Sequence, residues 1–312
     1  MTVADLKLTI ASKTLLADGI VQLDLASSGV ELPTWDAGAH IDLQCGSFVR
    51  SYSLCGDPAD RTLYRIAVLR EMEGRGGSAF VHDKLEVGDV VGVSLPRNHF
   101  ELAEADRYLF VAGGIGITPI VPMIAAAEDR SIPWALHYGG RSRSSMAFVD
   151  DLQRYAESVS VYPEDELGRL PLAEILGDAS AAAKILCCGP PALLDAVAAA
   201  SAHWPAESLH VERFVPKDVC NVSNRSFDVH LALRGTSHHV PTGSSILEVL
   251  DDAGIPVAAS CRVGTCGTCE ATVVDGIPDH RDSVLTAEDQ AEGRYMMLCV
   301  SRALTADITL DL

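Results

Sequence analysis

The stretch ASCRVGTCGTCEA, residues 259–271, sets Cys261, Cys266 and Cys269 at the spacing C-x4-C-x2-C, and Cys299 follows thirty residues after the third. Four thiolates at this spacing are the plant-type pattern for a [2Fe–2S] cluster. The residues between them, Arg262, Val263, Gly264, Thr265 and Gly267, are mostly small. Such a loop can fold its backbone around a cluster and turn N–H groups toward the sulfurs. Two cysteines three apart also suit tetrahedral zinc, which is the competing reading. Zinc knuckles normally pair one such couple with a second close couple, whereas here the fourth cysteine stands alone after a long excursion. The spacing therefore favours the cluster, and the rest of the chain must feed or drain a one-electron centre.

Around this motif lie 312 residues, too many for one ordinary core, so two or three domains are expected. A 48% apolar content with few aromatics fits a soluble α/β protein. No apolar run approaches the ~20 residues of a membrane span. The start, MTVADLKLTIASK, alternates like a strand and lacks the order of a signal peptide. Nine cysteines, four of them assigned to the cluster, leave an odd number, against a disulfide framework. A reducing cytoplasm is the expected location. The net charge of −19 argues against nucleic-acid binding; it fits simple solubility and also steering toward a basic protein partner.

Residues 1–103 read as short alternating strands (LKLTIAS, IVQLDLAS, AHIDLQ, FVRSYSL, LYRIAVLR, DVVGVSL) punctuated by turn residues, hence a small antiparallel barrel or sandwich. Two segments stand out. In Arg50-Ser51-Tyr52-Ser53-Leu54, Arg50 and Tyr52 share one strand face, and a guanidinium with an aromatic ring suits a phosphate-bearing, flat-ringed cofactor. A plain surface strand would also produce that string. Gly74-Arg75-Gly76-Gly77-Ser78 precedes a short helix, a combination that suits an anion or an ordinary Gly-rich hairpin.

From 104 to 224 strands alternate with helices, one of them over SSMAFVDDLQRYA (144–156), which predicts a doubly wound parallel sheet. The turn Gly113-Gly114-Ile115-Gly116-Ile117-Thr118-Pro119 lacks the usual dinucleotide fingerprint. Its glycines still permit close backbone approach, and Pro119 suits a helix first turn facing pyrophosphate. Cys188-Gly189-Pro190 falls at the C-terminal end of a late strand, where open α/β sheets bind ligands. Cys187 should point the other way, as a small buried hydrophobe. LHVERF reads as the last strand, with Glu212 and Phe214 on one face; residues 215–225 read as a linker. The final segment, 225–312, reads as a hairpin, a helix capped by Ser244 or Ser245, the cysteine loop and closing strands, an α+β β-grasp ferredoxin arrangement.

RSYSL, GRGGS, GGIGITP, CGP and ERF, in this order and ahead of a plant-type ferredoxin motif, resemble the phthalate dioxygenase reductase family, to which vanillate demethylase reductases belong. The resemblance covers essentially the whole chain. It implies three domains: an FMN-binding β-barrel (1–103), an NAD(P)H-binding α/β domain ending in a linker (104–224) and a [2Fe–2S] ferredoxin domain (225–312). It further implies that Arg50, Ser51 and the Gly76-Gly77-Ser78 turn hold a flavin phosphate and that Tyr52 packs the ring. Ser53, Thr118, Cys188 and Phe214 would surround the hydride-transfer contact. Gly113, Gly114, Gly116, Ile117, Thr118, Pro119, Gly189 and Pro190 would line the nicotinamide site.

The resemblance favours FMN, although Arg75 beside GGS would equally serve the pyrophosphate of FAD. It favours NADH, although Arg141 and Arg143 lie where a 2′-phosphate would sit. Nicotinamide releases two electrons together whereas the cluster takes one, so a flavin between them completes the chain. The acceptor expected is a terminal oxygenase, Rieske-type or alternatively haem-thiolate, served by a monomeric enzyme. Arg262 and the acidic turn at Glu288 and Asp289 would flank the docking face. A non-enzymatic iron–sulfur sensor would leave the first two domains without purpose.

Overall fold

The protein is described here by a computed structural model covering residues 5–72, 74, 76–216 and 224–312. Arg75 and most of the expected linker lie outside the described residues. Two compact units meet in sequence between Glu212 and Arg213.

The first unit opens with seven strands: β1 (Leu6–Ala17), β2 (Ile20–Ala26), β3 (Ala39–Cys45), β4 (Phe48–Ser53), β5 (Leu63–Leu69), β6 (Val90–Val93) and β7 (Arg97–Asn98), with helix α1 (Gly77–Asp83) between β5 and β6. They pair antiparallel in the order β4-β3-β6-β1-β2-β5, with β7 on β3. A backbone bridge from Leu54 to Ile66 joins the two ends, so the sheet closes as a barrel. Alternation supplies the filling: Leu8, Ile10, Leu23, Leu25, Ile41, Leu43, Tyr64 and Ile66 face inward and are buried. Val81 of α1 joins them, and Phe80 packs alongside.

The same unit continues with β8 (Arg107–Gly113), α2 (Ile117–Asp129), β9 (Trp134–Gly140), α3 (Val149–Leu152), β10 (Val159–Pro163), α4 (Glu164–Leu167), α5 (Leu172–Ile175), β11 (Ala183–Cys188), α6 (Pro191–Ala200) and β12 (Leu209–Glu212). The strands are parallel in the order β10-β9-β8-β11-β12. Ile117, Ile120, Met123, Ile124 and Ala127 form the buried face of α2, at helical spacing. One apolar cluster contains these residues and also Ile20, Ala37, Cys55, Ala67 and Phe100 from the barrel side. Barrel and parallel sheet therefore share a core across residue 103, each fully buried large side chain contributing about 1.5–3 kcal/mol.

Two sequence expectations end differently. A helix was expected over 144–156, but Phe148 takes a left-handed φ of 61° and only the four residues of α3 follow as α-helix. The last strand was expected to run through Phe214, but β12 stops at Glu212, the last residue of the first unit. Phe214 begins the second unit as a partly exposed side chain outside any strand, so it does not continue the face carrying Glu212.

The second unit holds β13 (Phe227–Leu231), β14 (Thr236–Val240), α7 (Ile246–Asp252), β15 (Glu270–Asp275), β16 (Pro278–Asp279), α8 (Ala287–Glu292), β17 (Tyr295–Met297), β18 (Arg302–Ala303) and β19 (Asp307–Leu310). Its main sheet runs β14-β13-β19-β15-β17, with β13 and β19 parallel and the other neighbours antiparallel. The α7 helix starts at Ser245, whose hydroxyl accepts from the Glu248 amide at 3.1 Å while Glu248 reaches back to the Ser245 amide at 2.8 Å. Its apolar face, Ile246, Leu247 and Leu250, packs onto Phe227, Val229, Leu298 and Ile308. This is a sheet with a helix across one face, the β-grasp arrangement.

Candidate functional site

The cysteine loop is wound by left-handed backbone at Arg262, Gly264 and Gly267, with φ of 57°, 76° and 72°. A Cβ at Gly264 would stand 2.6 Å from Val300 Cγ2 and 3.2 Å from Asp282 Cα, so the loop lies flush against the chain around Cys299. That winding aims amides at sulfur: Val263 N and Thr265 N each lie 3.4 Å from Cys261 Sγ, and Cys261 N lies 3.4 Å from Cys266 Sγ. The Thr268 hydroxyl is 3.1 Å from Cys266 Sγ.

The thiols link as a series: Cys266 with Cys261, Cys261 with Cys299, and Cys299 with Cys269. Within this series hydrogen bonds between neighbouring thiols hold Cys261 and Cys269 below the usual thiol range and Cys266 and Cys299 above it. Neighbouring thiols with backbone amides turned toward them fit the two-iron cluster that the spacing indicates. Arg262 pairs with Asp251 at 2.8 Å, so its charge is partly answered within the unit.

In the first unit, β4 places Arg50 and Tyr52 opposite Leu43 and Ile41 of β3, and Ser51 and Ser53 opposite Asp42 and His40. The Ser51 hydroxyl donates to buried Asp42 at 2.7 Å, and Arg97 binds the other carboxylate oxygen at 2.5 Å. Ser51 is thereby held by its own sheet. Arg50 lies along the start of α1: a Cβ at Gly77 would sit 2.8 Å from Arg50 Cγ and 2.9 Å from Nε. Gly76, at φ 96°, turns the chain into that helix, and Ser78 Oγ accepts from the Glu71 amide at 3.0 Å. Ser53 is 5% exposed, and its hydroxyl has no partner among the described residues. Burial pushes the Tyr52 phenol above its usual range, and its hydroxyl is hydrogen-bonded with Cys45, a buried thiol itself pushed up to about 12 by burial. An arginine against a surface lacking a Cβ, together with a buried unpartnered hydroxyl, fits a phosphate-bearing ligand that completes the site.

Glycines bring the ends of β8 and β11 together. A Cβ at Gly116 would stand 2.3 Å from the Cys188 carbonyl oxygen, and one at Gly189 would stand 3.1 Å from Gly113 Cα. A Cβ at Gly113 would meet Pro190 Cδ at 2.7 Å. Gly114 has φ 54° with open space where its Cβ would be. Ile117 and Pro119 are buried in the first turn of α2, and the Thr118 hydroxyl donates to Ile115 O at 2.9 Å. Cys187 belongs to the apolar cluster on one face of the sheet and Cys188 to the cluster on the other, as strand alternation requires.

The parallel register sets Cys188 beside Glu212, 3.9 Å from sulfur to carboxyl oxygen, and burial pushes the Glu212 carboxyl up to about 8. The same burial, and then Glu212 itself, raise the Cys188 thiol. Sequence reasoning gave Glu212 no such role, because a partner 24 residues distant is set by register alone. At the far edge, Arg141 is exposed, Arg143 pairs with Glu166 at 3.6 Å, and Arg169 pairs with Glu164 at 3.1 Å.

A family model for the 2Fe-2S iron-sulfur cluster binding domain matches residues 229–304, the segment that carries the cysteine quartet. Phenoxybenzoate dioxygenase subunit beta of Ectopseudomonas oleovorans is 42% identical, covering 100% of this chain and 98% of its own length. The solved structure of phthalate dioxygenase reductase, described as modular for electron transfer from pyridine nucleotides to [2Fe–2S], matches with a TM-score of 0.73 and 38% identity over 98% of both chains. The chain belongs to the phthalate dioxygenase reductase family. It is thus an oxidoreductase, of the kind that forms the reductase component of an oxygenase system. An intact type IV self-sufficient cytochrome P450 monooxygenase also matches, with a TM-score of 0.93 and 44% identity over 98% of this chain. The chain spans only 41% of that fusion protein. No helix among the described residues is long and apolar enough to cross a membrane.

Proposed function

We propose that this chain accepts hydride from NADH and delivers the electrons singly, by way of a bound FMN and its [2Fe–2S] centre, to a separate Rieske-type oxygenase. The observation that carries the reading is the pairing, on one chain, of a three-thiol loop with amides aimed at sulfur and a barrel–sheet unit in which Arg50 abuts Gly77. Flavin supplies the conversion of an electron pair into single electrons.

The chain's own residues do the positioning. Arg50 and the Gly76-Gly77-Ser78 turn bind phosphate, with Ser51 keeping β4 in place. Tyr52 would pack against the ring, and the buried, unpartnered Ser53 hydroxyl would hydrogen-bond to it. The glycine turns at Gly113, Gly114, Gly116 and Gly189, with Ile117, Thr118, Pro119 and Pro190, admit the dinucleotide against bare backbone. Cys188 borders the hydride contact. Arg141 contacts the adenosine end. NADH rather than NADPH is the donor that the family resemblance implies. Cys261, Cys266, Cys269 and Cys299 ligate the cluster.

A haem-thiolate acceptor is the second reading, supported by the likeness to a self-sufficient P450 fusion. One experiment tests both. Purified protein is expected to carry about one FMN and two irons per chain, to oxidise NADH far faster than NADPH, and to drive turnover of a Rieske oxygenase added in trans. Zinc in place of iron, or FAD in place of FMN, would refute the corresponding part. Coupling to a P450 haem domain with none to the Rieske partner would establish the second reading.

A further inference from the structure

The side chain of Lys13 has no part in the electron path proposed above, yet it is bonded unusually fully. From β1 its ammonium reaches the far end of α1 and donates to three carbonyls, Val81 O at 3.0 Å, His82 O at 2.7 Å and Leu85 O at 2.7 Å. Two of these are helix-end carbonyls, which have no partner within the helix. All three ammonium protons are thus spent on holding one short segment to the barrel wall.

That segment has little cohesion of its own. It is seven residues long, begins with Gly76 and Gly77, and has no side-chain cap at its start. Glycine at a helix start loses the most chain entropy, and helices this short do not persist in water without tertiary support. Its other ties include the buried Val81 with Phe80 packed alongside, the Glu71 amide on Ser78 Oγ at 3.0 Å, a 2.9 Å contact between His82 Nε2 and Val68 O, and a surface pair of Arg70 with Asp83. An exposed pair of that kind contributes little. Lys13 is the half-buried, three-bond anchor. At the opposite end the same segment lies against Arg50, with less room at Gly77 than a methyl group needs. A slide of α1 along its axis therefore moves the backbone past the Arg50 guanidinium.

We infer that Lys13 is a positioning residue for the flavin phosphate: it fixes α1 from behind so that Gly77 and Arg50 keep a phosphate-sized register. This rests on the reading of Arg50 and the Gly76-Gly77-Ser78 turn as the phosphate site. The test uses full-length protein freed of flavin and titrated by fluorescence quenching with FMN and with riboflavin, which has the same ring and no phosphate. Lys13→Met is expected to weaken FMN about fivefold to tenfold and to leave riboflavin unchanged, with Lys13→Arg recovering most of the loss. Equal weakening of both ligands would reduce Lys13 to a general barrel contact and overturn the inference, as would no change in either. Should Lys13→Met fail to fold, Lys13→Gln, which retains two donors, carries the same comparison. Arg50→Gln examines the underlying reading separately: an FMN-to-riboflavin preference that survives this substitution would sink the phosphate site itself, whatever Lys13 does.

Discussion

Glu212 and Cys188 illustrate how little a single residue's identity says without its neighbour. A carboxyl raised to about 8 is protonated at neutral pH in the folded chain and ionised in the unfolded one. The folded state then holds the extra proton, so its contribution to stability is complete below the ordinary carboxyl range near 4.5 and is lost as pH climbs through about 8. Glu212→Gln removes that titration. The stability advantage of the parent over the variant, measured by denaturant melts from pH 5 to 9, is expected to shrink steadily up to about pH 8 and then level. A pH-independent difference would mean that the carboxyl ionises normally. The cysteine motif is legible in the sequence because its spacing is itself the constraint; Glu212 is not, because its neighbour comes from a different strand. Lys13 was invisible for the same reason, its partners lying 68 to 72 residues further along.

At the scale of elements, the strands were readable wherever one face is buried, since alternation marks β1 to β5 directly. The helix expected over 144–156 failed because apolar residues at Met146, Ala147 and Phe148 are buried individually, in a turn that the left-handed Phe148 prevents from becoming helix. The GGIGITP turn shows the opposite case. Its glycines were singled out for ligand approach, but Gly116 also answers to a carbonyl of its own chain at Cys188. Gly116→Ala has no flexible side chain to displace, so α2 and β11 must part. That overpacking costs roughly 1–3 kcal/mol, and KM for NADH is expected to rise by about tenfold or more while bound iron stays at the parent level. Unchanged NADH kinetics would show that the turn has slack the geometry does not reveal.

For the whole molecule, the division after Glu212 predicts two separable activities. A chain ending at residue 224, so that Phe214 is retained, is expected to keep NADH-driven reduction of ferricyanide, a small acceptor able to reach the flavin, and to lose reduction of cytochrome c. Cytochrome c activity equal to that of the full chain would show that electrons leave without the cluster. Barrel and parallel sheet are closely joined: composition changes near residue 103, and Ile20, Ala67 and Phe100 complete the apolar cluster begun by Phe110, Ile117 and Met123. A pattern of strands and helices tells which layers form and is silent on which layers share a core.

That shared cluster also bears on how such chains are assembled and reassembled. A cut at residue 103 would expose the facing surfaces of two half-cores, whereas a cut after Glu212 crosses none of the apolar clusters among the described residues. Shuffling of modules is therefore channelled to one point: the hydride-handling half must be inherited whole, while the ferredoxin half is free to be exchanged, lost or re-ordered.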